Sequence, residues 1–205
     1  MKGIIRYMKY GIVIFGLLLF ANTSAFAAEQ KYKLGVALGV SGAGTVYSGQ
    51  GINAIKLAIE EINAKGGLLG KHPIELIVKD TNTKPDVAAK VAKELILKEK
   101  VQAIFGTYSS ACAIAIKPIA MENKVIHIAA ISNSENITKV NPSPYTFSVV
   151  PNSYMQAKAV AVGVAKMAKK NGWKTYATIA SDYEWGRSTQ ANFVELIKKE
   201  APDLK

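Results

Sequence analysis

Gly106-Thr107-Tyr108-Ser109-Ser110-Ala111 is the stretch whose residue types and spacing could do chemistry. An apolar run at 101–105 precedes it and reads as a buried strand, and residues 114–123 read as a helix. A glycine and two serines therefore sit where a strand hands over to a helix. A helix N-terminus presents unpaired backbone N–H groups and the positive end of the helix dipole. With serine hydroxyls beside it, such a turn can hold a carboxylate or another anion. Ser109 or Ser110 could equally serve only as a helix N-cap.

Other chemistries find no constellation. Cys112 is the only cysteine, so no internal disulfide is expected, and it reads as a small buried apolar residue in the first turn of a helix. His72 and His127 are the only histidines, and His127 lies inside an apolar run. No nucleophile–base pair is assembled, so no catalytic residue is assigned and the chain is not expected to be an enzyme. Two histidines and one cysteine offer no metal-ligand spacing, and no cofactor is expected. Gly42-Ala43-Gly44-Thr45-Val46-Tyr47 opens like a dinucleotide fingerprint but has tyrosine where the third glycine belongs. Asp182 and Glu184 share a loop and read as solvated or capping acids rather than a catalytic pair.

The elements that must position the turn follow a regular order. Strands are predicted at 33–40, 74–78, 101–105, 125–130, 145–149 and 175–180. Between them Ile52, Ile55, Ile59 and Ile62 recur at helical spacing to about Ala64, and Lys65-Gly66-Gly67 stops that helix. Pro85 opens another helix, with Ala88, Val91, Ala92 and Leu95 as its inner face. A helix marked by Ala157, Val160, Ala161, Val164 and Ala168 ends at Asn171-Gly172, and a last one begins at about Ser188 and runs to Glu200. Strands alternating with helices in units of about thirty residues predict an α/β fold, a parallel sheet with helices on both faces. The loops at Ser41, Gly106, Ile131 and Ser181 are rich in Ser, Gly, Asn and aromatics, and each follows a strand. They fall on the carboxyl edge, where open sheets bind ligands.

Of the 205 residues, 49% are hydrophobic and 20% charged, as in ordinary globular proteins. Lys2, Arg6 and Lys9, an apolar core at 11–20 and Ala25-Phe26-Ala27 follow the order of a secretory signal peptide over residues 1–27. The mature chain should begin near Ala28, and no cysteine follows the cleavage site to accept a lipid. The whole chain carries +11; setting the signal aside leaves 23 basic and 15 acidic residues, or +8. The lysines are scattered over helix faces, with no arginine stripe and interleaved aromatics, so no nucleic-acid partner is expected.

Three runs carry a family resemblance: Gly35-Val36-Ala37-Leu38 to Ser41-Gly42, Tyr47-Ser48-Gly49-Gln50-Gly51, and Ala58-Ile59-Glu60-Glu61-Ile62-Asn63-Ala64-Lys65-Gly66-Gly67. Asn141-Pro142 with Tyr145-Thr146-Phe147, and Asp182-Tyr183-Glu184-Trp185-Gly186-Arg187, continue it. The chain resembles the leucine/isoleucine/valine-binding protein family, exported solute receptors of ABC importers with the two-lobed type I periplasmic binding fold. The resemblance implies a first, ligand-binding lobe at 28–150 and the start of a second lobe at 151–205. Family members are nearly twice this length, so it also implies that the second lobe is incomplete. It places Ser110, with Ser109 beside it, on the ligand carboxylate, and Ile131 and Asn133 in the next donor turn. Asn133 stands where threonine is frequent. It also places Tyr47 and Trp185 as aromatic walls, with Trp185 where tyrosine is common, which suggests a pocket for a flatter or aromatic acid. The expected protein is a periplasmic receptor that binds a branched-chain or other amino acid, or an aromatic acid. It would deliver this ligand to an inner-membrane ABC permease and be a monomer when complete. A ligand-binding sensor signalling to a membrane partner, and a non-functional fragment of such a receptor, are the alternatives.

Overall fold

The computed structural model describes residues 31–205; the predicted signal peptide and its cleavage point lie outside the described residues. Five strands form one sheet: β1 (Tyr32–Leu38), β2 (Ile74–Asp80), β3 (Ala103–Gly106), β4 (Ile126–Ala129) and β5 (Thr146–Ser148). All neighbours pair in parallel, in the order β2-β1-β3-β4-β5. Parallel pairing demands crossovers, which helices α1 (Thr45–Ala64), α2 (Pro85–Lys93) and α3 (Ser110–Glu122) supply. The chain moves outward from β1 to β2 and returns past β1 to β3. Right-handed crossovers then put α1 on one face of the sheet and α2 with α3 on the other.

Side-chain parity agrees. Ala37 and Ile104 point into the main core, with Ala88, Val91, Ala92 and Leu95 of the α2 segment and Cys112, Ile116 and Ala120 of α3. Leu38 points the other way, towards Gly51 of α1. The predicted inner face of α2 is buried residue for residue. Pro85 stands in its first turn, where the missing N–H costs nothing, and the helix runs on into a π turn at Glu94–Lys98.

Beyond the sheet, α5 (Ser153–Asn171) and α6 (Glu184–Glu200) pack on each other through Ala157, Ala161, Ala168, Leu196 and Ile197. Asn152 caps α5, its side chain accepting from Met155 N–H at 2.9 Å, and Gly172 at φ 71° ends it in the left-handed region.

Five details depart from the sequence reading, the first being that α6 begins at Glu184 rather than at about Ser188. Helix α1 starts at Thr45, so Tyr47 sits in its first turn rather than in a loop. A four-residue helix, α4 (Asn136–Lys139), was not anticipated. Ser109 occupies the N-cap position of α3 with extended backbone, but its side chain makes no cap bond. Residues 175–180 form no strand. A strand exists only through a ladder, and the described residues offer this segment little more than Lys205, whose carbonyl accepts from Tyr176 N–H at 2.8 Å.

Candidate functional site

Strand order reverses between β1 and β3, so the loops leaving their carboxyl ends diverge and open a crevice between them. The sequence around this point is built for close approach. Gly106 has φ +133°, and a Cβ there would lie 2.3 Å from the Ala37 carbonyl oxygen; only glycine fits. Gly44 has no side chain to hold off the Tyr108 ring, which would stand 2.8 Å from a Cβ. The freed ring stacks on Tyr47, centroids 5.4 Å apart and planes 11° from parallel. Tyr47 stays 56% exposed, so this stack is an open wall rather than core.

The loops after β1 and β2 hold each other. Thr83 Oγ1 accepts from Gly44 N–H and donates to the Ser41 carbonyl. Asp80 accepts from the backbone N–H groups of Ser41 and Asn82. Partial burial would raise its carboxyl, but the hydrogen bonds from Ser41 and Asn82 outweigh it and hold the pKa below the usual value.

On the other side, the turns after β3 and β4 are joined. Ser132 N–H donates to the Thr107 carbonyl at 3.0 Å, and Ser134 N–H donates to Ser110 Oγ at 3.0 Å. Ser110 is 1% exposed, and because its oxygen accepts from Ser134 its own O–H remains to donate. Ile131 lies over Gly51 of α1. Asn133 is tied to the crossing segment: its Nδ2 donates to the Pro151 carbonyl at 3.0 Å and its own carbonyl accepts from Ser153 N–H. The structure thus brings Ser109, Ser110 and Tyr47 to one switch point, with Ile131 beside α1, and commits the Asn133 amide to the crossing segment.

Trp185 stands in the first turn of α6. Its indole N–H donates to Gln156 Oε1 at 2.9 Å, and it lines a groove of about 490 Å³ among Val160, Val164 and Phe193. Tyr183, two residues earlier, lies near the phenols of Tyr47 and Tyr108. Burial raises the Tyr183 phenol above its usual pKa, and the nearby phenols of Tyr108 and Tyr47 add to this. Its ring also contacts Trp185, with centroids 6.1 Å apart. The Asp182-Tyr183-Glu184-Trp185 run held this signal, two aromatics close together in sequence.

Burial pushes the Cys112 thiol pKa up, which disfavours the thiolate. Asp182 and Glu184 do not form a pair: Asp182 faces Arg187 at 2.6 Å, while Glu184 accepts from Ser134 and Asn136. Among the described residues no three His, Cys, Asp or Glu side chains gather as metal ligands, and no helix is long and apolar enough to cross a membrane.

A doubly wound parallel sheet with its crevice at the β1/β3 reversal, followed by a further helical unit, is the type I periplasmic binding architecture. Residues 31–204 match the periplasmic binding protein family, and the chain belongs to it. Solved structures agree. A solute-binding protein of an ABC transporter from Rhodopseudomonas palustris BisB5, in complex with 3,4-dihydroxybenzoic acid, is 31% identical with a TM-score of 0.73; the match covers 85% of this chain and 46% of that one. A leucine-binding protein from Thermotoga maritima MSB8 is 28% identical, TM-score 0.74, with coverage of 85% and 47%. A branched-chain amino-acid transporter substrate-binding protein from Streptococcus pneumoniae, in complex with isoleucine, is 26% identical, TM-score 0.70, with coverage of 85% and 48%. The chain therefore spans a little under half the length of these structures. No curated protein sequence is significantly similar to it.

Proposed function

We propose that the chain is the ligand-binding portion of an exported solute receptor of an ABC importer. It takes a small carboxylate-bearing ligand at the carboxyl edge of β1, β3 and β4 and does no chemistry on it. Residues 28–150 act as the ligand-binding lobe, and 151–205 begin a second lobe that carries Tyr183 towards the ligand. Cleavage of residues 1–27 delivers the protein to the periplasm, and an inner-membrane permease receives the ligand. The observation that carries this reading is the state of Ser110. Its oxygen is engaged by the Ser134 amide, so its O–H is poised to donate, at a helix N-terminus and at the reversal of strand order. The tyrosines 47, 108 and 183 favour a planar aromatic acid over an aliphatic amino acid, since stacked phenol faces complement a flat ring.

Calorimetric titration with 3,4-dihydroxybenzoate, 4-hydroxybenzoate, L-leucine and L-isoleucine tests this. A benzoate is expected to bind, and Ser110→Ala to weaken it by about tenfold or more, the loss of one hydrogen bond to a charged group. Unchanged affinity in Ser110→Ala would remove the carboxylate assignment. A second reading, a chain inert by itself, is favoured by the full exposure of Ile179 in the segment without a ladder. Failure of all four compounds to bind a cooperatively folded chain would support it instead.

A further inference from the structure

Three residues of α6 that make polar contacts form one stripe. Glu184, Ser188 and Asn192 are spaced four apart and share a face of the helix. Glu184 Oε1 accepts from Ser134 Oγ and from Asn136 Nδ2, each at 2.8 Å. Ser188 Oγ lies 2.6 Å from Ser153 Oγ, which also accepts from Glu135 N–H at 3.1 Å. Asn192 Nδ2 donates to Glu135 Oε1 at 2.9 Å. All three therefore meet residues 134–136, directly or through Ser153, and that segment continues from the turn holding Ile131 and Asn133.

An acid in the first turn of a helix is ordinarily explained by the helix dipole. That explanation does not require two donors from another element to converge on one oxygen, an arrangement that suits an ionised carboxylate. Ser134, held through its hydroxyl, is 2% exposed, and its amide is the group that engages Ser110 Oγ. A continuous line thus runs from Glu184 through Ser134 to Ser110.

We propose that Glu184 is a positioning residue for the ligand-donor turn. By holding Ser134 and Asn136 it keeps the Ser134 amide on Ser110 and so aims the Ser110 hydroxyl. The proposal rests on the reading of that turn as the carboxylate site; Glu184 itself does not touch the ligand. Without the clamp, the buried Ser134 hydroxyl must find another partner, and serine readily turns to its own backbone. The turn then loses its single orientation.

The test uses the full chain with Glu184→Ala and Glu184→Gln, since glutamine keeps an acceptor oxygen. Amide hydrogen exchange at 132–136 is expected to accelerate about tenfold in Glu184→Ala and to stay within about threefold in Glu184→Gln, with β1 and β3 unchanged. Affinity for the benzoate or amino acid that the wild type binds should fall about tenfold in Glu184→Ala and recover in Glu184→Gln. A generally structural role would lower the melting temperature without this split. Unchanged exchange at 132–136 overturns the clamp, and faster exchange with unchanged affinity overturns its link to Ser110. A wild type that binds none of the probes overturns the receptor reading instead, and the exchange result then decides the clamp by itself. Should Glu184→Ala not fold, Ser134→Ala takes its place: it is expected to weaken binding to the same extent, and wild-type affinity there overturns the proposal.

Discussion

His127 is fully buried on β4, and neither ring nitrogen has a hydrogen-bond partner of good geometry. Burial pushes its pKa from 6.5 down to about 4, with the Gly106 backbone opposing this only in part. Between those values the unfolded chain binds a proton that the folded chain refuses, so stability falls as pH drops from about 6.5 to about 4 and then levels off. The loss is on the order of 3 kcal/mol, and His127→Leu should abolish it; urea unfolding at pH 7 and pH 4.5 measures the difference. A wild type and variant with equal pH dependence would contradict this assignment. Gly106→Ala is expected to cost roughly 3 kcal/mol or more at every pH, because the new Cβ meets the Ala37 carbonyl at a φ that alanine avoids. Both residues were legible, His127 as part of an apolar run and Gly106 as the pivot of the turn. The orientation of Asn133 was not. An asparagine amide follows whatever carbonyl lies near, and the nearest here, that of Pro151, belongs to a chain crossing no local pattern encodes.

At the scale of elements, α3 does two jobs. Its N-terminus presents Ser110 to the crevice, and two turns further along the same face Lys117, 7% exposed, donates to the carbonyls of Asn136, Ile137 and Val140 around α4. Burial lowers the Lys117 pKa, and the carbonyls that end a helix are a natural seat for its charge. Lys117→Met should take the lysine donor from these carbonyls, that of Ile137 buried. The expected cost is about 1–3 kcal/mol, with hydrogen exchange at 137–140 rising ahead of the rest of the chain. Leu95, fully buried where the α2 segment meets the sheet, should cost about 2–5 kcal/mol as Leu95→Ala in denaturant unfolding. The contrast between α2 and α4 shows what sequence can carry. The inner face of α2 repeats at helical spacing and was readable residue by residue. Four residues of α4 complete barely one turn, too short for a period, and a distant lysine holds their carbonyls.

Over the whole molecule, the alternation of strand and helix was enough to predict a parallel sheet and the edge on which ligands sit. It did not indicate that Tyr183 lies near the phenols of Tyr47 and Tyr108. That proximity depends on how α6 docks, and the partners of its polar stripe, Ser134, Asn136, Ser153 and Glu135, lie far away in sequence where no local pattern points to them. The same unit leaves Ile179 fully exposed in a segment without a ladder, beside open backbone groups. Such edges invite association. Ile179→Lys is expected to shift the chain towards monomer in sedimentation at raised concentration, with an unchanged melting temperature. The position of Tyr183 has one more consequence, an optical one. Its ring touches Trp185, whose indole N–H is fixed on Gln156, so a tryptophan emitter stands one ring away from the crevice. Trp173, 44% exposed and distant in sequence from this loop, supplies a constant background. Occupancy of the crevice should therefore change the emission of Trp185 alone: Trp185→Phe should silence the signal and Trp173→Phe preserve it, so the protein carries its own gauge of ligand without any added dye.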